Sequence, residues 1–222
     1  MSGVDYTLSR RNMVESQIRT NRVTDQRIID AIGKIPREQF VPKHLENLAY
    51  IDHSLEISPG RYLMESMVFA RLIQGASVRN DDICLDVGCG SGYSSVVLGE
   101  IAGTVVALES NSDLAKKAES NFKKSDADNI FLITAPLDEG YSGQAPYDVI
   151  VVNGSVERLP EMLLNQLNEG GRLVSIISKK STSGRAKLFE KRHGHISERE
   201  LFDATAPDLP GHFYIPKKFN FD

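Results

Sequence analysis

The chain of 222 residues is long enough for one domain with a sizeable core, and its 41% hydrophobic and 25% charged residues are ordinary globular usage. A net charge of −4 disfavours a basic surface that coats nucleic acid, and no apolar run reaches the roughly 18 residues that span a bilayer. No apolar segment follows Arg10 and Arg11, so we expect no signal peptide and a soluble, cytoplasmic protein. Two cysteines, Cys84 and Cys89, and scattered histidines predict neither a disulfide framework nor a metal site.

The first third of the chain predicts helices. Residues 4–45 carry apolar faces at helical spacing, and Thr24 is a candidate N-cap for a short amphipathic helix. Residues 49–63 predict irregular chain around a Pro59-Gly60 turn, and helical periodicity returns over 64–75.

From residue 82 onward, apolar strands alternate with helices. The predicted strands are 83–87, 104–108, 130–133, 147–152 and 173–177, the predicted helices are 94–101, 112–124 and 160–167, and two antiparallel edge strands are predicted at 186–192 and 197–202. Near-continuous apolar strands joined by helices indicate a parallel sheet covered on both faces. We therefore predict an α/β, doubly wound, mostly parallel Rossmann-like fold with an N-terminal helical extension. Residues 1–80 should pack on a core of 81–222 as one compact domain.

The segment Asp86-Val87-Gly88-Cys89-Gly90-Ser91-Gly92-Tyr93 lies at the carboxyl end of the first core strand and opens a helix, which is where open α/β sheets bind ligands. Its glycines allow positive φ and close approach of a ligand, and the following helix N-terminus offers N–H groups to an anion. Glu109, at the end of the second core strand, is placed to accept both hydroxyls of a ribose. Tyr93 stands where a dinucleotide fingerprint needs its last glycine, which argues against NAD or FAD.

This loop resembles the S-adenosylmethionine loop of class I methyltransferases, and the rest of the chain narrows the resemblance to the protein-L-isoaspartate O-methyltransferase family. It covers about residues 13–178 and is carried by segments that follow one another in the family's order. These are Met13 to Arg19, Pro36 to Pro42, Ala49 to Asp52, Ser91 to Tyr93, Ala145 to Asp148 and Gln166 to Val174, with a looser match at Phe213 to Pro216.

The resemblance implies methyl transfer from S-adenosylmethionine to a carboxylate of a peptide or protein, the isoaspartyl residue of a damaged protein, without a metal. It implies cofactor contacts at Asp86, Gly88, Cys89, Gly90, Ser91, Gly92, Tyr93, Glu109, Ser110 and Leu137, and a catalytic loop with Arg61, Tyr62, Met64 and Ser66. Ala49-Tyr50 and 213–216 should hold the peptide backbone. Replacing Glu109 by alanine should weaken cofactor binding and leave the stability of the free protein nearly unchanged.

Two segments depart from the family's pattern. In the substrate loop, 58–66, Met64 stands where the family has the serine that touches the reacting centre, Arg61 replaces glutamine and Tyr62 replaces threonine. After the third core strand, Ala135-Pro136-Leu137 replaces Gly-Asp-Gly, so the acid at the adenine edge is missing unless Asp138 takes its place.

These departures leave three functions open: an isoaspartyl-type methyltransferase, a cofactor-binding relative with weak or no isoaspartyl activity, and a small-molecule carboxyl methyltransferase. Arg61 would serve the last as a clamp for a substrate carboxylate, or it faces solvent after the Pro-Gly turn. Nucleic-acid methylation is disfavoured because Val152-Asn153-Gly154-Ser155 lacks the proline and aromatic residue of adenine-N6 enzymes. We expect no membrane or nucleic-acid partner, and the sequence leaves monomer and dimer open.

Overall fold

The computed structural model describes residues 4–179 and 183–214. Its central element is a seven-stranded sheet. Its strands are β3 (Ile83–Val87), β4 (Thr104–Glu109), β5 (Ile130–Thr134), β6 (Tyr147–Val156), β7 (Leu167–Ile177), β8 (Gly184–Arg192) and β9 (His195–Ala204), in the order β5-β4-β3-β6-β7-β8-β9. β3 to β7 are parallel, and β8 and β9 continue the sheet antiparallel. This confirms the predicted fold class.

Alternation along the central strands supplies a core on each face of the sheet. In β3, Cys84 belongs to the cluster under the N-terminal helices, whereas Leu85 and Val87 belong to the cluster on the opposite face. Val105 and Val106 of β4 divide in the same way. Because both faces of these strands are covered, most successive positions are apolar, and the buried carboxylate of Asp86 is the exception in β3.

Helices cover both faces and form the N-terminal extension. They are α1 (Tyr6–Met13), α2 (Gln26–Lys34), α3 (Ser66–Ala76), α4 (Tyr93–Gly99), α5 (Ser112–Lys124) and α6 (Glu161–Asn165), with short helical turns at Val14–Ile18, Arg19–Asn21, Arg37–Phe40, Lys43–Leu48 and Ser142–Gln144. The side chain of Asp25, rather than that of Thr24, caps α2 by accepting from the Arg27 amide, so the Thr24 prediction is wrong by one residue. Across the described residues, no helix is long and apolar enough to cross a membrane.

Several predicted boundaries are corrected. The irregular chain predicted over 49–63 contains an antiparallel hairpin, β1 (Leu55–Ser58) and β2 (Arg61–Leu63), joined by the predicted Pro59-Gly60 turn. The 160–167 helix is only α6, because β7 already begins at Leu167. Of the looser match at 213–216, Phe213 is buried without strand structure, Tyr214 likewise lies outside any strand, and the last two residues lie outside the described residues.

A buried arginine joins α3 to the amino end of the sheet. Arg172 of β7 forms an ion pair with Asp82, with 2.6 Å between Nη2 and Oδ2, and it donates to the carbonyls of Ala76, the last residue of α3, and of Ser77, which follows it. The exposed fractions of the two charged side chains are 10% and 6%. This pair lies at the amino ends of the strands, and the glycine loop lies at their carboxyl ends. The pair therefore stabilises the scaffold without entering the candidate site.

Candidate active site

The carboxyl ends of β3, β4 and β6 converge on the loop between β3 and α4, at the place where the sequence predicts the site. Gly88, Gly90 and Gly92 all have positive φ, at 77°, 60° and 95°. A side chain at any of the three would be strained, which explains the glycines.

The chain's own side chains cover the open faces of these glycines. A Cβ on Gly88 would lie 2.7 Å from Leu209 and 3.3 Å from the Arg61 guanidinium, and one on Gly90 would lie 2.9 Å from Ile57. Gly92 is met by Phe122 of α5. The predicted close approach of a ligand is therefore replaced in this structure by close approach of protein.

The loop amides are also engaged within the protein. The amides of Gly88 and Cys89 donate to the Leu108 carbonyl at 2.8 and 3.1 Å, and that of Gly90 donates to the Glu109 carboxylate at 2.8 Å. These three N–H groups stabilise the loop within the protein, whereas the expectation of an anion concerned the N-terminus of the following helix, α4, and stays a prediction.

Asp86 is fully buried and ties the loop to its neighbours. One carboxylate oxygen accepts from the hydroxyls of Ser94 at 2.7 Å and Ser95 at 2.5 Å, and the other accepts from the amide of Asn153. Burial raises the pKa of Asp86 to about 6, and the three donors oppose that rise by stabilising the carboxylate. The acid thus sits at the centre of a network that joins β3, α4 and β6.

Glu109 is paired with an arginine. Both of its oxygens accept from Arg61, at 2.5 Å from Nη1 and 2.8 Å from Nη2, and the amides of Ser110 and Asn111 donate to the same carboxylate. The Arg61 side chain is 5% exposed and that of Glu109 is 0% exposed. Arg61 is therefore not solvent-facing, so that reading of the residue is wrong. Its guanidinium here bonds a carboxylate of its own chain, and its role toward a substrate carboxylate stays a prediction.

The hairpin brings part of the predicted catalytic loop together. Arg61, Tyr62 and Met64 line a narrow cavity of about 10 Å³, which is close to the space one water molecule needs. The rest of the lining comes from Gly60, Asn153, Gly154 and the segment Ala206 to Leu209. Ser66 is not among these residues: it is the first residue of α3, fully buried, and its hydroxyl has no partner among the described residues.

A second, open cavity is lined in part by Ser110, the residue that follows Glu109. It measures about 420 Å³ and is lined by Ser110, Thr134 to Asp138 and Pro210 to His212. Ser110 and Leu137, predicted as cofactor contacts, are therefore both at this cavity. Asp138 also lines this cavity. It is the residue predicted to take the place of the acid that the family has at the adenine edge and this chain lacks.

The remaining predicted contacts face away from both of these cavities. Tyr93 is 1% exposed and packs in the core, edge-on to Phe40 and beneath the Arg37 guanidinium, which lies 4.8 Å from its ring centroid. The Ser91 hydroxyl donates to the Phe40 carbonyl at 2.5 Å. Cys89 is buried, and burial raises the pKa of its thiol, so it is a packing residue rather than a nucleophile. The cofactor contacts predicted at these three residues stay predictions.

Residues that were not predicted also build the site. Asn153 lies in β6, directly after its apolar residues 149–152. It could have been found from the rule that the carboxyl ends of adjacent parallel strands meet. Leu209 gives no such signal, because it reaches Gly88 and Gly154 from far along the chain. Its segment is held by backbone bonds between Ser155 and both Pro207 and Leu209, each 2.9 Å long.

The chain resembles proteins of one family both in sequence and in structure. A family model described as protein-L-isoaspartate(D-aspartate) O-methyltransferase matches residues 8–205. A protein-L-isoaspartate O-methyltransferase of Methanoculleus marisnigri is 36% identical over 204 residues, which are 92% of this chain and 92% of that protein. One of the same name from Koribacter versatilis is 33% identical over 206 residues, which are 93% and 92% of the two chains.

Two solved structures share the fold over most of the chain. One named protein-L-isoaspartate O-methyltransferase has a TM-score of 0.81 at 24% identity and covers 92% of this chain and 67% of its own. Another, from Plasmodium falciparum, is described as a beta-aspartate methyltransferase in complex with S-adenosyl-L-homocysteine. It has a TM-score of 0.77 at 23% identity and covers 90% and 98%.

Replacing Glu109 by alanine should destabilise the protein even without a ligand, contrary to the expectation from sequence. The change leaves the Arg61 guanidinium buried without its counter-charge, which costs about 3–5 kcal/mol of unfolding free energy. Urea denaturation measures this, and the double variant Arg61→Ala/Glu109→Ala should be more stable than Glu109→Ala alone. A single variant within about 1 kcal/mol of wild type would contradict the importance of the pair.

The free energy of unfolding should fall as pH rises from about 4 to above 6. Because the pKa of Asp86 is raised to about 6 in the folded protein, the folded state there holds a proton that the unfolded state has released. The effect amounts to about 3 kcal/mol for a shift of roughly two units. Asp86→Asn should flatten this part of the pH profile measured by urea denaturation. An unchanged slope in the variant would show that Asp86 does not titrate in this range.

Proposed function

Because the chain belongs to the protein-L-isoaspartate(D-aspartate) O-methyltransferase family, we propose that it transfers a methyl group from S-adenosylmethionine to the isoaspartyl carboxylate of a peptide or protein. The observation that carries the proposal is the pair of buried carboxylates, Asp86 and Glu109, at the ends of two adjacent parallel strands beside a loop of left-handed glycines. That arrangement occurs here in a chain matched by the family over almost its whole length.

The residues fit the cofactor by type. Glu109 is the acid that would hold the ribose hydroxyls, and the cavity at Ser110 and Leu137 has room for the adenine. Asp86 and the loop would hold the methionine part. In the present conformation the Arg61 guanidinium bonds both oxygens of Glu109, so cofactor binding requires that Arg61 move.

The proposed methyl transfer requires no general acid or base from the protein. When bound, S-adenosylmethionine supplies a methyl group on a positively charged sulfur that departs as a neutral thioether. A substrate carboxylate with a pKa near 4 is ionised at pH 7 and needs no general base. The residues around the narrow cavity then have to orient the carboxylate and keep water out. We assign these tasks to Tyr62, Met64 and Asn153, which line that cavity.

A buried arginine positions the segments proposed to hold the substrate. Arg37 is fully buried and donates to the carbonyl of Ala49 at 2.8 Å and to that of Met64 at 2.6 Å. It thereby fixes the distance between the Ala49-Tyr50 segment and the end of the hairpin. Burial lowers the pKa of the Arg37 guanidinium, and the contact with the Tyr93 ring helps to keep it charged. This link supports a peptide-binding role for the 49–64 region.

A second candidate is a cofactor-binding relative with weak or no isoaspartyl activity. The specific observation in its favour is the narrow cavity of about 10 Å³ at Met64, too small in this conformation for a substrate carboxylate. The small-molecule alternative stays a prediction, and in this structure the guanidinium that would bind its carboxylate, that of Arg61, bonds Glu109. Cytoplasmic location, the absence of nucleic-acid and membrane partners, and the oligomeric state stay predictions.

Methyl transfer is tested directly with labelled S-adenosylmethionine. We expect label on a peptide that contains one isoaspartyl residue and none on the same peptide with aspartate, released by mild base as expected for a methyl ester. Equal labelling of the two peptides would contradict isoaspartyl specificity. Labelling of neither, by a protein that binds S-adenosylhomocysteine, would favour the second candidate.

Replacing Met64 by serine should raise the rate of isoaspartyl methylation by tenfold or more. A serine restores a hydroxyl that can hydrogen-bond the attacking carboxylate, and such a bond to a charged group is worth roughly 1.5–3 kcal/mol. Initial rates at saturating cofactor give the measurement. The matched control is Met67→Ser, a half-buried methionine of α3 that does not line the cavity. A rate that Met64→Ser leaves unchanged or lowers would show that the loop orients the substrate by other groups.

A further inference from the structure

The carboxylate at the proposed ribose site has no capacity left for a ligand. Five donors reach it: the two Arg61 nitrogens at 2.5 and 2.8 Å, and the amides of Gly90, Ser110 and Asn111 at 2.8 to 2.9 Å. A carboxylate offers about four lone-pair positions. Two ribose hydroxyls can therefore bond Glu109 only by displacing donors already present.

Of these donors, only Arg61 can leave without unfolding the site. The three amides belong to the loop and to the start of α5, and they keep Glu109 hydrogen-bonded whether or not Arg61 is present. Arg61 instead lies on a two-stranded hairpin, and its remaining contact in the site is a 3.2 Å bond to the Gly88 carbonyl. A ribose that bonds Glu109 would therefore have to displace the side chain of Arg61.

We propose that Arg61 is an internal competitor of the cofactor ribose and sets the affinity of this chain for S-adenosylmethionine and S-adenosylhomocysteine. The proposal rests on the proposed function for the choice of ligand. Arg61 lines the narrow cavity of about 10 Å³ at Met64, and its partner Glu109 directly precedes Ser110, which lines the open cavity of about 420 Å³. A purine can enter the open cavity while the ion pair is intact, whereas a ribose has to break it.

The competition makes affinity depend on the ribose of the ligand. Each ribose-containing ligand has to separate a buried, doubly bonded ion pair before it gains its own hydrogen bonds. Adenine has no ribose and does not meet this cost. Removal of the guanidinium should therefore strengthen the binding of S-adenosylhomocysteine and adenosine and leave that of adenine unchanged.

Isothermal titration calorimetry of the full chain tests this with three ligands: S-adenosylhomocysteine, adenosine and adenine. For Arg61→Ala we expect the Kd of the first two to fall at least tenfold relative to wild type, and the Kd of adenine to stay within twofold. The matched control is Arg172→Ala, which breaks a second buried arginine–carboxylate pair, Arg172–Asp82, at the amino end of the sheet and should leave all three constants unchanged. Arg61→Lys keeps a positive charge but not the double contact, so its gain should be smaller than that of alanine.

The proposal is overturned if wild type and Arg61→Ala bind S-adenosylhomocysteine equally, if neither binds it, or if adenine gains as much as adenosine. If circular dichroism shows that Arg61→Ala is poorly folded, the Kd values of wild type and Arg61→Lys are compared instead. Equal Kd values for S-adenosylhomocysteine then overturn the proposal. Failure of the proposed function looks different: Arg61→Ala then binds S-adenosylhomocysteine more tightly than wild type, yet no variant methylates the isoaspartyl peptide.

Discussion

The bidentate bond between Arg61 and Glu109 connects the small hairpin to the main sheet, and the shape of the whole site follows from it. A two-stranded hairpin of this size is not stable by itself. Here Leu55, Ile57 and Leu63 bury one face of it in the core. The arginine adds a charged contact with fixed geometry, since a guanidinium and a carboxylate meet in one planar arrangement. Position and orientation of the hairpin are thereby both determined.

The consequence is a cleft with its free volume at one end. Beyond Glu109, the cavity at Ser110 is open, whereas on the near side the hairpin and Leu209 close over the glycines of the loop. Left-handed glycines usually serve to let something approach the backbone. In this chain the approaching groups are its own side chains, and the loop keeps the geometry of a ligand site while it packs as part of the interior.

Short-range patterns were sufficient to predict the fold. Strands such as β3 and β4 are mostly apolar because they are covered on both faces, with the acids Asp86 and Glu109 near their carboxyl ends, and α5 shows helical spacing from Leu114 to Phe122. The hairpin was missed because its two strands are only four and three residues long, too short for a periodic signal. Boundaries failed where tertiary contacts extend a strand, as at β7.

The candidate site was predictable only in part, because sequence locates strand ends but not the partners that reach them. Asp86 and Glu109 follow from the rule that parallel strands end at one edge of the sheet. The partner of Glu109 lies 48 residues away on a separate element, and a charge after a Pro-Gly turn gives no indication of burial. Tyr93 was assigned to the ligand by its neighbours in sequence, although the first turn of α4 points that ring toward Arg37.

The cover that Leu209 provides has a consequence for the order in which the protein matures during synthesis. Leu209 is made 121 residues after Gly88, which corresponds to roughly 6–24 s at about 5–20 residues per second. The strands whose ends form the candidate site, β3, β4 and β6, are complete by Val156, which is made 53 residues before Leu209. While those last residues are added, the chain already contains the glycine loop but not the side chain that lies against Gly88 and Gly154. The order of synthesis therefore makes this cover one of the last parts of the site to be added.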